Sequence, residues 1–376
     1  MRSHLHPLLG FFCASTLLIT ANQAFAQTGS LPPALADKIM QDMAWRSFVP
    51  KKEVRITRTE KATFNGCLDV APLDSACTAI AIPGWKVTIE ARKNKWTYHT
   101  IPNGKFVVNG LASIDKAITN QVLAIAAWRS DLPISQLRIN WVENKTWSNS
   151  CSDLPGINNC INAKMPGWQV TVTDGKNQTW LYRTGLSYSV LYNSAASKIN
   201  KNIAQDFTQG TANTILQDMS KRSGIPVKEL QVTKAEPRTF NGCLSIATPE
   251  TACNEIGLLG WRVIAEGYQQ RWVYHVVPGK GLKLNGVESF PRQLLDTLIK
   301  DIANFAKVPE ANLKTYWIEQ KVWNNDCRGL NSINSTPTCK PGFFPGWIVK
   351  ITDGSQIWTY HTAIFQGGVL HSTVKK

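Results

Sequence analysis

The sequence predicts an α+β protein of four tandem repeats, in which each repeat packs one helix on a small antiparallel sheet and holds one internal disulfide. Eight of the nine cysteines fall into four close pairs, and each pair is followed by Gly-Trp and then by Trp-x-Tyr. With 376 residues, 43% of them hydrophobic and 18% charged, the chain can bury substantial cores. Its length exceeds that of a typical single domain, which agrees with several repeated units.

The first 26 residues are typical of a cleaved secretory signal peptide. Arg2 precedes a short apolar run that ends in Ala24-Phe25-Ala26, and small residues in this arrangement mark a cleavage site. The run is shorter than the roughly 20 apolar residues that a spanning helix needs, and no later segment is predicted to cross a membrane. We therefore expect a secreted or periplasmic protein, with signal peptide 1–26 and repeats at 31–110, 111–195, 196–286 and 287–376.

Pairing within each repeat is the simplest arrangement of the eight cysteines that follow the signal peptide. An oxidising compartment favours such disulfides. A zinc site is not predicted, because no Cys-x-x-Cys occurs and a structural site needs four converging ligands. We expect no metal and no cofactor. The predicted disulfides are Cys67 with Cys77, Cys151 with Cys160, Cys243 with Cys253, and Cys327 with Cys339.

Each repeat opens with a helical pattern and continues with strands. In repeat 1, apolar residues four positions apart between 35 and 43 predict a helix that ends before Pro50. Alternation from Val54 predicts a first strand, and residues 85–89 and 95–100 predict two more. The first cysteines of repeats 3 and 4, Cys243 and Cys327, follow those of repeats 1 and 2 by 176 positions, which indicates the duplication of a two-repeat ancestor.

One glutamate recurs on the first strand of every repeat, and a histidine or arginine follows every Trp-x-Tyr. A half-buried carboxylate needs a partner, so we expect an ion pair that joins the first strand to the last. A catalytic acid/base couple is the less favoured interpretation, because the arginine of repeat 2 cannot exchange protons near neutrality. The expected pairs are Glu60 with His99, Glu143 with Arg183, Glu236 with His275, and Glu319 with His361.

Eight of the fourteen tryptophans belong to the repeated Gly-Trp and Trp-x-Tyr motifs, where core packing is expected. Trp141 and Trp317 differ, because they occur only in repeats 2 and 4. Two interpretations remain open for them. They pack one repeat against its neighbour, which we favour, or they form a binding patch.

The net charge of +15 favours anionic partners or surfaces. Basic residues are spread over all four repeats, so a single nucleic-acid groove is not predicted. The sequence also lacks a Gly-x-Ser-x-Gly elbow, a phosphate-binding glycine-rich loop and a His-Glu-x-x-His helix. The protein is therefore not predicted to be an enzyme.

The order Phe64-x-x-Cys-Leu, Cys77, Pro83-Gly-Trp-x-Val and Trp96-x-Tyr-His-Thr, with its counterparts, resembles a repeat of uncharacterised secreted cyanobacterial proteins. The resemblance covers nearly the whole chain after the signal peptide, although Ser152 and Arg328 replace the leucine and Leu259 replaces the proline. It implies no activity. The order of helix and sheet is also similar to cystatin-like and PepSY-like modules, which include protease inhibitors.

Together these features predict a non-enzymatic binding protein that acts on an extracytoplasmic protein or an anionic cell-surface polymer. Inhibition of a secreted peptidase is the first alternative. A hydrolase that uses the Glu and His pairs is the second.

Overall fold

The computed structural model of the chain describes residues 30–157, 160–186, 190–329, 339–364 and 369–375. The predicted signal peptide 1–26 lies outside these residues. Within them the architecture is α+β, with four sheets and one 15-residue helix in each repeat.

The strands of each sheet follow one another in chain order and pair antiparallel. Repeat 1 contains α1 (Pro33–Ser47), β1 (Val54–Phe64), β2 (Ile82–Ala91), β3 (Asn94–Thr100) and β4 (Phe106–Val108). Repeat 2 contains α2 (Gly110–Ser113), α3 (Lys116–Ser130), β5 (Arg138–Trp147), β6 (Met165–Thr173), β7 (Thr179–Gly185) and β8 (Val190–Lys198).

The second pair of repeats has the same order of elements, apart from one additional short strand at the start of repeat 3. Repeat 3 contains β9 (Asn202–Ile203), α4 (Gln209–Ser223), β10 (Gln231–Phe240), β11 (Leu258–Gly267), β12 (Gln270–Val277) and β13 (Gly281–Leu284), and its short β9 pairs parallel with β10. Repeat 4 contains α5 (Gly286–Ser289), α6 (Arg292–Ala306), β14 (Lys314–Asn325), β15 (Pro341–Thr352), β16 (Gln356–Ala363) and β17 (Val369–Lys375).

A proline ends each long helix, as the sequence indicates. Each helix ends three positions before a proline, and a short 3₁₀ turn after that proline leads into the first strand. Proline disfavours helical backbone in the residue before it, so the helix cannot continue through it. The prolines are Pro50, Pro133, Pro226 and Pro309.

The repeats pack in pairs, so the molecule has two main cores. One core joins the helices and sheets of repeats 1 and 2, and the other joins those of repeats 3 and 4. Trp96 of repeat 1 contacts Trp168 of repeat 2 with ring centroids 5.0 Å apart. Trp272 of repeat 3 contacts Trp347 of repeat 4 at 6.5 Å. We call repeats 1 and 2 the first half of the molecule, and repeats 3 and 4 the second half.

Two kinds of element were not expected from the sequence. Each sheet has a fourth strand, which is only three residues long in repeat 1 and therefore shows no alternation. The short helices α2 and α5 begin after Asn109 and Asn285, whose side chains accept hydrogen bonds from the amides of Ala112 and Glu288. An asparagine followed by glycine is the local signal for such a cap.

All four disulfides form within their repeats, as expected. They place the chain in an oxidising compartment outside the cytoplasm. Among the described residues, no helix combines the length and the apolar character required to cross a bilayer.

Candidate functional site

Each sheet has an inner face on the shared core and an outer face on the other side. In β2, Trp85, Val87 and Ile89 point into the core, so the alternate residues Lys86 and Thr88 lie on the outer face. A bulge follows the second inner residue of the first strand in every repeat. It shifts the recurring glutamate to the outer face, whereas uninterrupted alternation would have placed it with Ile56.

The structure corrects the four predicted Glu-to-His/Arg pairs. The Gly-Trp strand lies between the first and third strands, so each glutamate is two strands away from its expected partner, about 10 Å. The register places Lys86 between Glu60 and His99, Gln169 between Glu143 and Arg183, Arg262 between Glu236 and His275, and Ile348 between Glu319 and His361.

The glutamates have nearer neighbours. Glu60 pairs with Arg58 on its own strand, and Glu143 pairs with Lys145 at 2.6 Å. Glu236 pairs with Lys234 at 2.7 Å, while Glu319 is exposed.

The histidines and the arginine hold the disulfide loops against the outer face. His99 Nδ1 donates to the carbonyl oxygen of Leu68 at 2.6 Å, and His275 Nδ1 donates to that of Leu244 at 2.7 Å. Arg183 and His361 make the same contact with the carbonyls of Ser152 and Arg328. Each of these side chains also stacks on the aromatic residue four positions after the recurring glutamate: Phe64, Trp147, Phe240 or Trp323.

Trp141 and Trp317 are half-buried and follow the bulged residue of their strands directly. The bulged residues contact the disulfide loop of the preceding repeat. Asn140 accepts a hydrogen bond from the amide of Leu73 at 2.8 Å, and Tyr316 donates to Glu250. The strand segment that carries each tryptophan therefore lies against its neighbour, as the favoured interpretation requires, but the two side chains themselves stay a prediction.

The outer face of repeat 3 binds a carboxylate from repeat 2. Asp131 ends α3 in a left-handed conformation (φ 58°) and lies between three cations of repeat 3. Its carboxylate oxygens are 2.6 Å from Arg262 Nη1, 2.5 Å from Arg271 Nη2 and 3.5 Å from Lys234 Nζ. These three cations form a triplet that joins the two halves of the molecule.

The electrostatics of this junction favour the ionised carboxylate of Asp131. Burial raises the pKa of Asp131, but the hydrogen bond from Arg262 and the charges of Arg271 and Lys234 outweigh it and leave the pKa below its ordinary value. Deeper in the junction, burial raises the pKa of Glu266, although Arg129 and Arg271 lie beside it. The triplet is therefore a site that stabilises an anion.

Repeat 1 carries the same triplet, in which Arg58 pairs with Glu60 and Lys95 lies 3.9 Å from Glu90, but no ion pair of the described residues places one carboxylate between all three cations. Arg58, Lys86 and Lys95 precede Lys234, Arg262 and Arg271 by 176 positions, and the strand register is the same at each position. The side chains of Arg58 and Lys95 are 70% and 67% exposed, whereas those of Arg262 and Arg271 are 13% and 1% exposed. The triplet of repeat 1 therefore faces solvent.

The surroundings of this open triplet are strongly basic. Residues 51–64 and 82–100 contain nine Lys or Arg and three Glu, a surplus of six positive charges. Repeats 2 and 4 lack the triplet, because Trp141, Gln169 and Thr179, or Trp317, Ile348 and Ile357, occupy its positions. A count of charge per repeat missed this site, while a comparison of charges at the spacing of 176 residues reveals it.

Comparison with known proteins identifies the same two repeats. Residues 36–109 and 212–282 each match a protein family described as a domain of unknown function (DUF8738). These regions lie in repeats 1 and 3, which are the repeats that carry the triplet. No curated protein matches the chain.

Proposed function

We propose that this is a secreted or periplasmic, non-enzymatic binding protein whose ligand is an anionic cell-surface polymer or an acidic protein. The ligand docks on the outer face of repeat 1, at Arg58, Lys86 and Lys95. One observation carries this proposal: the equivalent triplet of repeat 3 already holds the Asp131 carboxylate at 2.5 to 3.5 Å. Because strand register and charge match, the triplet of repeat 1 can bind a carboxylate in the same way, and it faces solvent.

The separation of the glutamates and histidines also supports binding over hydrolysis. A general acid or base must come within hydrogen-bond distance of the proton that it transfers, directly or through one water. Glu60 and His99 lie two strands apart, and His99 is buried under the disulfide loop. The hydrolytic alternative therefore loses the geometry on which it depended.

A polyuronate such as alginate provides a carboxylate-rich probe. We expect saturable binding to the full chain that weakens as salt rises, because exposed charges are screened. Replacing the triplet with R58E/K86E/K95E should weaken binding about tenfold or more, since three exposed ion pairs contribute about 0.2–1 kcal/mol each and become repulsive. Isothermal calorimetry at two salt concentrations measures both effects.

The matched control changes the net charge equally on repeat 4. Lys300, Lys314 and Lys321 are exposed, and K300E/K314E/K321E should retain most of the affinity. Equal losses in the two variants would mean that net charge alone attracts the polymer, and the assignment to repeat 1 would be wrong. Binding of an acidic protein but not of alginate would select the other ligand class.

A further inference from the structure

A cleft of about 400 Å³ lies where the two halves of the molecule meet. Helix α3 and strand β8 of the first half form one side, and helix α6 forms the other. The turn between β11 and β12 closes one end through Gln269. Its volume is within the range of small-molecule sites. Most of the lining is apolar and comes from Ile125, Trp128, Val190, Leu191, Pro291 and Leu294.

The polar part of the lining contains buried hydrogen-bond donors. Arg129 is 5% exposed and lines the cleft, and its Nε and Nη1 have no hydrogen-bond partner among the described residues. The Nε2 of Gln293, across the cleft on α6, is buried and also without a partner there. Leaving such groups buried and unsatisfied destabilises the protein. All three atoms are donors, so a ligand that satisfies them must offer acceptors.

Comparison with the other repeats shows what is unusual at Arg129. Arg46 and Arg222 occupy the same helix position in repeats 1 and 3, and each pairs with an aspartate one turn earlier, at 2.6 and 2.7 Å. Repeat 2 has Ile125 at the position of that aspartate, and Ile125 lines the cleft. The nearest carboxylate to Arg129 is Glu266 at 3.7 Å, which is beyond hydrogen-bond distance. Repeat 2 thus combines an apolar wall with an arginine that has lost its helical partner.

We infer that this cleft binds a small acyl compound, with an apolar tail against Ile125 and Leu294 and an oxygen acceptor at Arg129 and Gln293. The apolar lining supplies the hydrophobic contribution to binding. The unpartnered N–H groups of Arg129 and Gln293 select an acceptor over a cationic headgroup, because a headgroup without acceptors leaves them unpaired. This site is separate from the triplet of repeat 1 and does not depend on it.

The test uses the full chain and two probes with the same tail, decanoate and decyltrimethylammonium, each below its micelle concentration. We expect decanoate to bind with 1:1 stoichiometry in calorimetry and at least tenfold more tightly than the cationic probe. Gln293→Leu should weaken decanoate binding several-fold and reduce the difference in affinity between decanoate and decyltrimethylammonium. No saturable decanoate binding, or equal binding of the two probes, would overturn the inference.

A variant that fills the cleft locates the site. Thr297 lies on the exposed rim, and its Oγ1 donates to the carbonyl of Gln293 at 2.8 Å, so Thr297→Trp should block the cleft while the helix remains intact. Thr214 of α4 makes the same contact with Gly210 at 3.0 Å away from the cleft, and Thr214→Trp is the matched control. Decanoate binding should be lost only in Thr297→Trp. Equal binding by both variants would place the fatty acid elsewhere on the basic surface, and alginate binding should be unchanged in both.

Discussion

His99 shows how one side chain fixes a loop to a sheet. Its ring uses both nitrogens, because Nδ1 donates to the carbonyl of Leu68 and Nε2 accepts from the Asn109 amide at 3.3 Å. Only the neutral imidazole can make both bonds. Phe64 stacks on the ring with centroids 4.7 Å apart, which removes water from one side of it. The disulfide loop of repeat 1 is thus held by a neutral histidine.

The stability of the protein should therefore depend on the protonation of His99. Burial lowers the pKa of His99 in the folded state, more than the bond to Leu68 raises it. Well above about pH 6.5, the ordinary pKa of histidine, neither state is protonated. As the pH falls through that value, the unfolded chain gains a proton first, so the free energy of unfolding falls. His99→Gln should flatten this fall between pH 7.5 and pH 5 in urea unfolding. An identical pH dependence in the two proteins would contradict the burial argument.

At the residue scale, the sequence predicted contacts that are local and missed those that depend on register. The four disulfides were predictable because partners lie 9 to 12 positions apart within one recurring segment. The partner of Glu60 was not, because strand order and the bulge after Ile56 decide which side chains meet. The contacts of Asp131 were also out of reach, since they join repeats 2 and 3 across a junction that no local pattern encodes.

At the scale of elements, the glycine of each Gly-Trp motif allows two strands to pair closely. A Cβ built on Gly84 would lie 2.1 Å from the carbonyl oxygen of Thr100 on β3. The equivalent distances at Gly167, Gly260 and Gly346 are 1.9, 2.0 and 2.0 Å. A Cβ atom and a carbonyl oxygen do not approach each other this closely in folded proteins, so any side chain would push the strands apart. This explains why glycine recurs at this position in all four repeats.

Gly84→Ala should consequently destabilise the first half. We expect a loss of about 2 kcal/mol or more in the free energy of unfolding, because the clash is with backbone and no side chain can move to relieve it. Gly210→Ala on α4 is the control, since its Cβ would have only Thr208 Oγ1 at 3.9 Å and alanine favours helix. Chemical denaturation of both variants gives the comparison. A Gly84→Ala protein as stable as the parent would show that this strand pair can relax.

The helices and the first three strands were predictable because their apolar residues follow periods of about four and of two. The sharing of one core by two repeats was not predictable, because nothing in the local sequence shows that Trp96 and Trp168 face each other. Ile114 shows that spacing alone does not locate a helix boundary. It continues the four-residue spacing of Ile118 and Val122, yet it lies outside both helices, because α2 ends at Ser113 and α3 begins at Lys116.

At the scale of the whole molecule, the two halves differ at the helix end that forms the junction. The helix end of repeat 2 presents Arg129 and Asp131 to the hairpin and triplet of repeat 3. The same positions in repeat 4, 176 residues later, hold Phe305 and Lys307, both exposed. Lys307 would meet the open triplet of repeat 1 in a second copy and repel it. The helix ends of repeats 2 and 4 therefore carry different charges, and only that of repeat 2 is complementary to a basic triplet.

Reversing this difference in charge should produce head-to-tail association. In the variant F305R/K307D, the helix end of repeat 4 regains the charges of residues 129 and 131, and it can dock on Arg58, Lys86 and Lys95 of another copy. Such a contact does not close on itself, so open chains of copies are expected. Sedimentation velocity at low salt should show mass that increases with concentration, while the parent shows none. Adding K86E, or raising the salt, should reverse the association, because both weaken the same ion pairs.

The control F343R/K300D makes the same charge changes on exposed residues elsewhere and should not associate. If F305R/K307D behaves like this control at every concentration, complementary charge is not sufficient to form the junction, and the shape of the Gln269 turn, which repeat 1 lacks, must contribute to it.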